Sequence, residues 1–236
     1  GLDHAGLERL VAEIGAEVAP IYVVNLNLRD RQYSVAGDRV GLSALKAALK
    51  SPAAWLDLAG IDVPFHSPLL RDGVPAFRAV LERCFPTDID LRPLLGRYVP
   101  NLVAEPFELT ANFVQAMIEV CGETPELLAA RAAPEAHARS LLIELLAWQF
   151  ASPVRWIETQ ERLAEAVEQL VEVGPTPVLT NMMKATLRTH DAVLTVLHNE
   201  ADRDALLGLG EEVVEVVEAI PVAAPVARAL SAGAAS

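Results

Sequence analysis

IYVVNLNLRDRQYSVAGDRVGLSALKAAL, residues 21–49, decides how the front of this chain folds. Two runs rich in Val, Ile and Tyr, IYVVNLN and QYSVAG, flank the polar LRDR, which reads as two β-strands closed into a hairpin. GLSALKAAL then sets Leu42, Leu45, Ala48 and Leu49 at helical spacing, and upstream Leu7, Leu10, Val11 and Ile14 recur the same way, predicting a helix that closes near Gly15. Downstream, IDVPF at 61–65 reads as another strand. Helix, strand, strand, helix, strand is a ferredoxin-like unit whose first strand is missing and would lie before Gly1. The start itself, GLDHAGLERL, has no initiator Met and reads as a cut through a longer chain.

The second half has a different rhythm. VPAFRAVLERCF places Val74, Phe77, Val80, Leu81 and Cys84 on one helical face, and RYVPNLVAEPFEL is irregular and extended. LLIELLAWQF is apolar almost all round, as a helix buried on most sides must be. ERLAEAVEQL is amphipathic, LVEVGP reads as a compact buried strand ending in a Gly-Pro turn, a helix starts near Val178, and AVLTVLHN reads as a last strand. The alternation is that of an α/β core. From about Glu211 the chain drifts into Ala, Val and Pro, the composition of a semi-stiff tether.

Composition excludes several function classes. With 52% hydrophobic and 22% charged residues the chain can build a true core, while a net charge of −13 repels phosphate backbones, so nucleic acid is not expected as a partner. Cys84 and Cys121 are too few and too isolated for a disulfide framework or a zinc site, and their apolar contexts predict buried thiols, which suits a reducing cytoplasm. No apolar run has the length of a membrane span, and no secretory leader opens the chain; a cytoplasmic protein is expected.

His66 stands where the run IDVPF gives way to Ser-Pro, at the kind of sheet edge where loop residues are exposed. It is either a general base or a half-exposed histidine capping a turn, and the residues alone leave both open.

Five segments taken together go further. VVNLNLRDRQYSVAGD, IDVPFHSPLLRDGVPAF, LGRYVPNLVAEPFELT, LLIELLAWQFASPVRWIETQ and LVEVGPTPVL resemble, in this order, the malonyl/palmitoyl transferase domain of actinobacterial and fungal type I fatty acid synthases. Malonyl-CoA:ACP transacylases and polyketide acyltransferases show a weaker version. The resemblance implies an α/β protein with an inserted α+β subdomain: a ferredoxin-like small subdomain at 1–65, the C-terminal part of an α/β-hydrolase-like acyltransferase core at 66–200, and a helix and Ala/Pro-rich linker toward a carrier domain at 201–236.

It also implies site residues. The histidine of PFHS, here His66, is the family's general base for a serine nucleophile, and Gln149 matches the glutamine whose main-chain carbonyl orients it, in place of an aspartate. That glutamine equally reads as the end of a buried helix. Phe65 accompanies malonyl over methylmalonyl in related enzymes, because bulk beside the α-carbon crowds a methyl branch; it also reads as a core phenylalanine. Asn27, with Asn25 on the same face of its strand, borders the family's pocket or satisfies turn backbone.

The family's serine lies in a G-x-S-x-G elbow, and no such motif occurs here; the arginine that pairs with the malonyl carboxylate belongs to the missing upstream part too. The expected function is therefore a share in moving malonyl from CoA to acyl carrier protein, and palmitoyl back to CoA, with the serine outside this chain and the chain alone inactive. No cofactor or metal is expected. The substrates are malonyl-CoA and the phosphopantetheine of the carrier; the partners are CoA thioesters, the acyl carrier domain and the rest of the synthase with its serine-bearing half. The alternative is a non-catalytic complementing or scaffold subunit of a multienzyme synthase.

Overall fold

The structure is a computed structural model that describes residues 3–49, 55–186, 193–197 and 200–208. Helix α1, His4–Glu17, begins where the Asp3 carboxylate accepts from the Gly6 amide at 2.7 Å, and it turns Val11 and Ile14 inward. Strands β1, Ile21–Leu28, and β2, Gln32–Gly37, pair antiparallel from Ile21 opposite Gly37 to Leu28 opposite Gln32. Asp30 makes the turn in the left-handed region at φ 55°, which a short polar side chain tolerates. Asp38 then caps α2, Arg39–Ala48, by accepting from Val40 N at 2.7 Å. Ile21 and Leu45 meet Val11 and Ile14 in a small core beneath the hairpin.

The predicted helix–strand–strand–helix order is thus present, but the strand expected over IDVPF does not form. Residues 61–65 take no strand, with Ile61 59%, Val63 43% and Phe65 50% exposed. Pro64 has no amide to give a ladder, and these side chains bury against no neighbouring sheet among the described residues. The other edge of β1 is met by Val154 instead: Val154 N donates to Val24 O at 2.9 Å and Leu26 N to Val154 O at 3.0 Å.

Beyond a 3-10 turn at Pro68–Gly73 come α3 (Val74–Cys84), α4 (Ala111–Cys121), α5 (Pro125–Ala132), α6 (Ala138–Gln149) and α7 (Trp156–Ala166). The α/β alternation expected here is absent between 74 and 166 and appears only afterwards, as β3 (Gln169–Val173), α8 (Val178–Thr186) and β4 (Val193–Leu197), with β3 and β4 paired. The larger core gathers around Phe107, Phe113, Met117, Leu127, Leu141 and Leu145, and α6 buries seven residues, from Leu141 to Trp148, as its all-round apolar sequence requires.

Two further expectations fail. Strand β3 alternates exposed and half-buried positions instead of being buried: Gln169, Val171 and Val173 lie on an open face of a sheet that has two strands among the described residues. On α3, Val74 is buried, but Phe77 and Val80 are each 38% exposed and Cys84 is exposed. That helix meets the core through Val74 and Leu81, which leaves the other positions of the expected face partly open. Cys121 is buried as expected. No described helix is long and apolar enough to cross a membrane. The chain divides into two units at Val196/Leu197, and in the second the described element is α9, Glu200–Leu207.

Candidate active site

An α-helix leaves its last carbonyls without intrahelical partners, and at the half-buried end of α6 those of Gln149 and Phe150 need donors from elsewhere in the chain. His66 supplies them. Its backbone N–H donates to Phe150 O at 2.7 Å, and its ring Nδ1 lies 2.8 Å from Gln149 O. A carbonyl oxygen only accepts, so Nδ1 carries the proton and Nε2 presents its lone pair. Among the described residues Nε2 has no hydrogen-bond partner.

To make both bonds, His66 adopts φ 63°, the left-handed region, at a cost on the order of 1–3 kcal/mol. Such a conformation persists only where the surroundings over-determine it. Ser67 contributes on the other side: wholly buried, it donates its hydroxyl to Pro64 O at 2.6 Å. That hydroxyl is committed to the turn.

Gln149 is fixed through its own side chain, whose Nε2 donates to the Tyr98 hydroxyl at 2.9 Å. Phe65, half exposed directly before His66, is not a core residue. Phe150 stacks edge-on against Phe77 at 5.5 Å between ring centres, which ties the end of α6 to α3.

Asn27 lies elsewhere. It is 8% exposed, its side-chain Nδ2 reaches Ser34 Oγ at 3.4 Å, and its backbone carbonyl accepts from the buried Gln160 Nε2 at 2.9 Å. With Asn25, Asn101, Val154, Trp156, Leu179 and Met182 it lines a cavity of about 250 Å³. The two asparagines do share one face, as the strand period demands. The structure therefore brings His66, Gln149 and Phe65 together and sets Asn27 in a separate hollow whose lining does not include His66.

Sequence reasoning missed Tyr98, Ser67 as a turn-closing donor, and Gln160, which ties β1 to α7 and accepts from Thr186 Oγ1 at 3.1 Å. Tyr98 sits in an irregular stretch without periodicity, so no local pattern could have found it.

No family model matches the sequence. By structure the chain resembles a malonyl transacylase solved in complex with its type II polyketide acyl carrier protein, with a TM-score of 0.58, 22% identity and coverage of 88% of this chain and 56% of that one. The fold is that of the malonyl-CoA:acyl carrier protein transacylases, an α/β core with a small ferredoxin-like subdomain.

The sequence narrows this class further. It is 37% identical over 218 residues to fatty acid synthase 2 of Mycosarcoma maydis, an alignment covering 71% of this chain and 6% of that protein. In Schizosaccharomyces pombe it matches both synthase subunits: alpha, 50% identical over 66 residues (25% of this chain, 4% of the subunit), and beta, 46% over 63 (26% and 3%). The chain is homologous to a part of the fungal fatty acid synthases, and it spans less than a tenth of the length of the curated relatives it matches, 6% and 8% for two of them.

Proposed function

We propose that this chain is the C-terminal part of a fatty acid synthase malonyl/palmitoyl transferase, with the ferredoxin-like subdomain in residues 1–65, core elements in 66–200 and a tether toward the carrier domain in 201–236, working in the cytoplasm. The observation that carries the reading is the 2.8 Å contact between His66 Nδ1 and Gln149 O, which leaves Nε2 ready to accept a proton. In the complete transferase, His66 Nε2 takes the proton of a serine hydroxyl supplied from outside this chain as the serine oxygen attacks the thioester carbonyl of malonyl-CoA. Backbone amides hold the tetrahedral oxyanion; as it collapses, the imidazolium returns the proton to the departing CoA sulfur. The phosphopantetheine thiol of the carrier then attacks the acyl-serine, giving its proton to His66, and the serine oxygen recovers it. Run in reverse, the same site moves palmitoyl onto CoA.

Phe65, half exposed beside the base, favours malonyl over methylmalonyl by about 1–3 kcal/mol. Phe65→Ser should raise methylmalonyl transfer relative to malonyl, and an unchanged ratio would remove that role. Asn27 borders substrate only through the separate hollow that it lines with Asn25 and Asn101, not beside His66. The deciding experiment is His66→Ala in the parent synthase: malonyl transfer to the carrier should fall by about 10²–10⁴-fold, and an unchanged rate would overturn the assignment.

A second reading has its own support. The S. pombe matches fall on two polypeptides, which favours a complementing subunit that completes a partner's serine-bearing half. Transfer activity that appears only on mixing the two halves would select it.

A further inference from the structure

We propose that Ser67 is a positioning residue for His66, an inference that rests on the reading of His66 as the general base. His66 is held at φ 63° by two carbonyls at the end of α6, Phe150 O to its amide and Gln149 O to its ring. Both act from one side. The opposing restraint is the turn 64–67, closed by the Ser67 hydroxyl on Pro64 O at 2.6 Å, with the Ser67 amide on the same oxygen at a longer 3.3 Å.

Ser67 is 0% exposed, so neither solvent nor an incoming thioester competes for that hydroxyl. Its chemistry is spent on geometry. Without it, Pro64 O keeps only the long amide contact, the backbone of His66 is free to leave the left-handed region that costs it energy, and the ring parts from Gln149 O. The ring then loses the acceptor that fixes its proton on Nδ1, and Nε2 is no longer reliably the basic nitrogen.

The test is nitrogen NMR of the imidazole in the 236-residue chain, recorded where the ring is neutral, for the parent and for Ser67→Ala. The parent should show His66 as a single tautomer with the proton on Nδ1; Ser67→Ala should show a mixture of tautomers. In the parent synthase the same substitution should lower kcat for malonyl transfer by about tenfold with KM unchanged. A folded Ser67→Ala chain with the parent's imidazole spectrum would overturn the proposal, since a purely structural serine changes stability and leaves the tautomer alone. If that variant does not hold its fold, Ser67→Cys, of similar volume but a weak donor, is read in the same way. A His66→Ala synthase that transfers malonyl at the parent rate would overturn the reading beneath the proposal, whatever the spectra show.

Discussion

Arg78 on α3 holds Glu144 on α6 through a two-pronged ion pair, with Nη2 2.8 Å from Oε2 and Nε on Oε1, although Glu144 is 1% exposed. Trp148 Nε1 donates to the same carboxylate at 3.1 Å, so the buried charge is fully partnered. Little more than one helical turn separates Glu144 from the carbonyl that receives His66. The pair fixes how α6 lies on α3, and thereby where that carbonyl stands.

Arg78→Met strands a carboxylate in the core and should lower unfolding free energy by about 3–5 kcal/mol, read as the shift in denaturant midpoint. Arg78→Met with Glu144→Gln, which removes the orphaned charge but keeps an acceptor for Trp148, should recover a large share of it. Equal midpoints for the parent and Arg78→Met would mean the ion pair carries none of the packing.

Gly41 lies inside α2, where alanine ordinarily improves a helix by about 0.8–1.0 kcal/mol. Here a Cβ would stand 2.6 Å from Ala19 O and 2.7 Å from Ile21 Cγ2. Close approach of α2 to the start of β1 reverses the sign: Gly41→Ala should destabilise by about 1–3 kcal/mol. A raised melting temperature would refute this contact.

Glu172 links β3 to α8, accepting from Thr180 N at 2.7 Å and Leu179 N at 2.9 Å. Desolvation pushes its carboxyl upward, but the amides of Thr180 and Leu179, the Thr180 hydroxyl and the Val178 amide together outweigh that and hold it below the ordinary range. A depressed folded-state value means the stabilisation is fully present above the unfolded glutamate value of about 4.3, and is lost as the pH falls through the lower folded value. Glu172→Gln should flatten this part of the acid dependence. Identical stability-versus-pH curves for both proteins between about pH 5 and pH 2 would exclude the carboxylate from holding α8.

The two thiols should separate cleanly. Burial, with the negative Glu144 nearby, pushes Cys121 up to about 12, whereas Cys84 is exposed. At mildly alkaline pH a disulfide reagent should titrate Cys84 in the native protein and Cys121 only after denaturation. Rapid labelling of both without denaturant would show that α4 opens.

Much of the fold is legible where one period dominates. The hairpin over 21–37 follows from two β-rich runs around a polar turn, and α2, α6 and the start of α8 near Val178 follow from helical spacing. IDVPF misleads because apolar content in five residues says nothing about whether a sheet edge lies beside it, and Pro64 removes a donor just where a ladder would need one. Cys84 misleads for a related reason: the helical face it shares is real, and Val74 and Leu81 meet the core, but Cys84 at the end of the helix stays exposed. The tether expected from Glu211 lies outside the described residues.

The site divides along the same line. A histidine and a glutamine can be singled out by the segments that contain them, PFHS and WQFASP, and their residue types already determine what they can donate or accept. Only the tertiary structure decides that the carbonyl of one meets the ring nitrogen of the other across 83 residues, that Asn27 faces a different hollow, and that Ser67 spends its hydroxyl on a turn. Local sequence sets backbone preference and hydrogen-bonding capacity; which unsatisfied carbonyl at a helix end meets which donor depends on how separate elements pack, and that is a property of the whole chain.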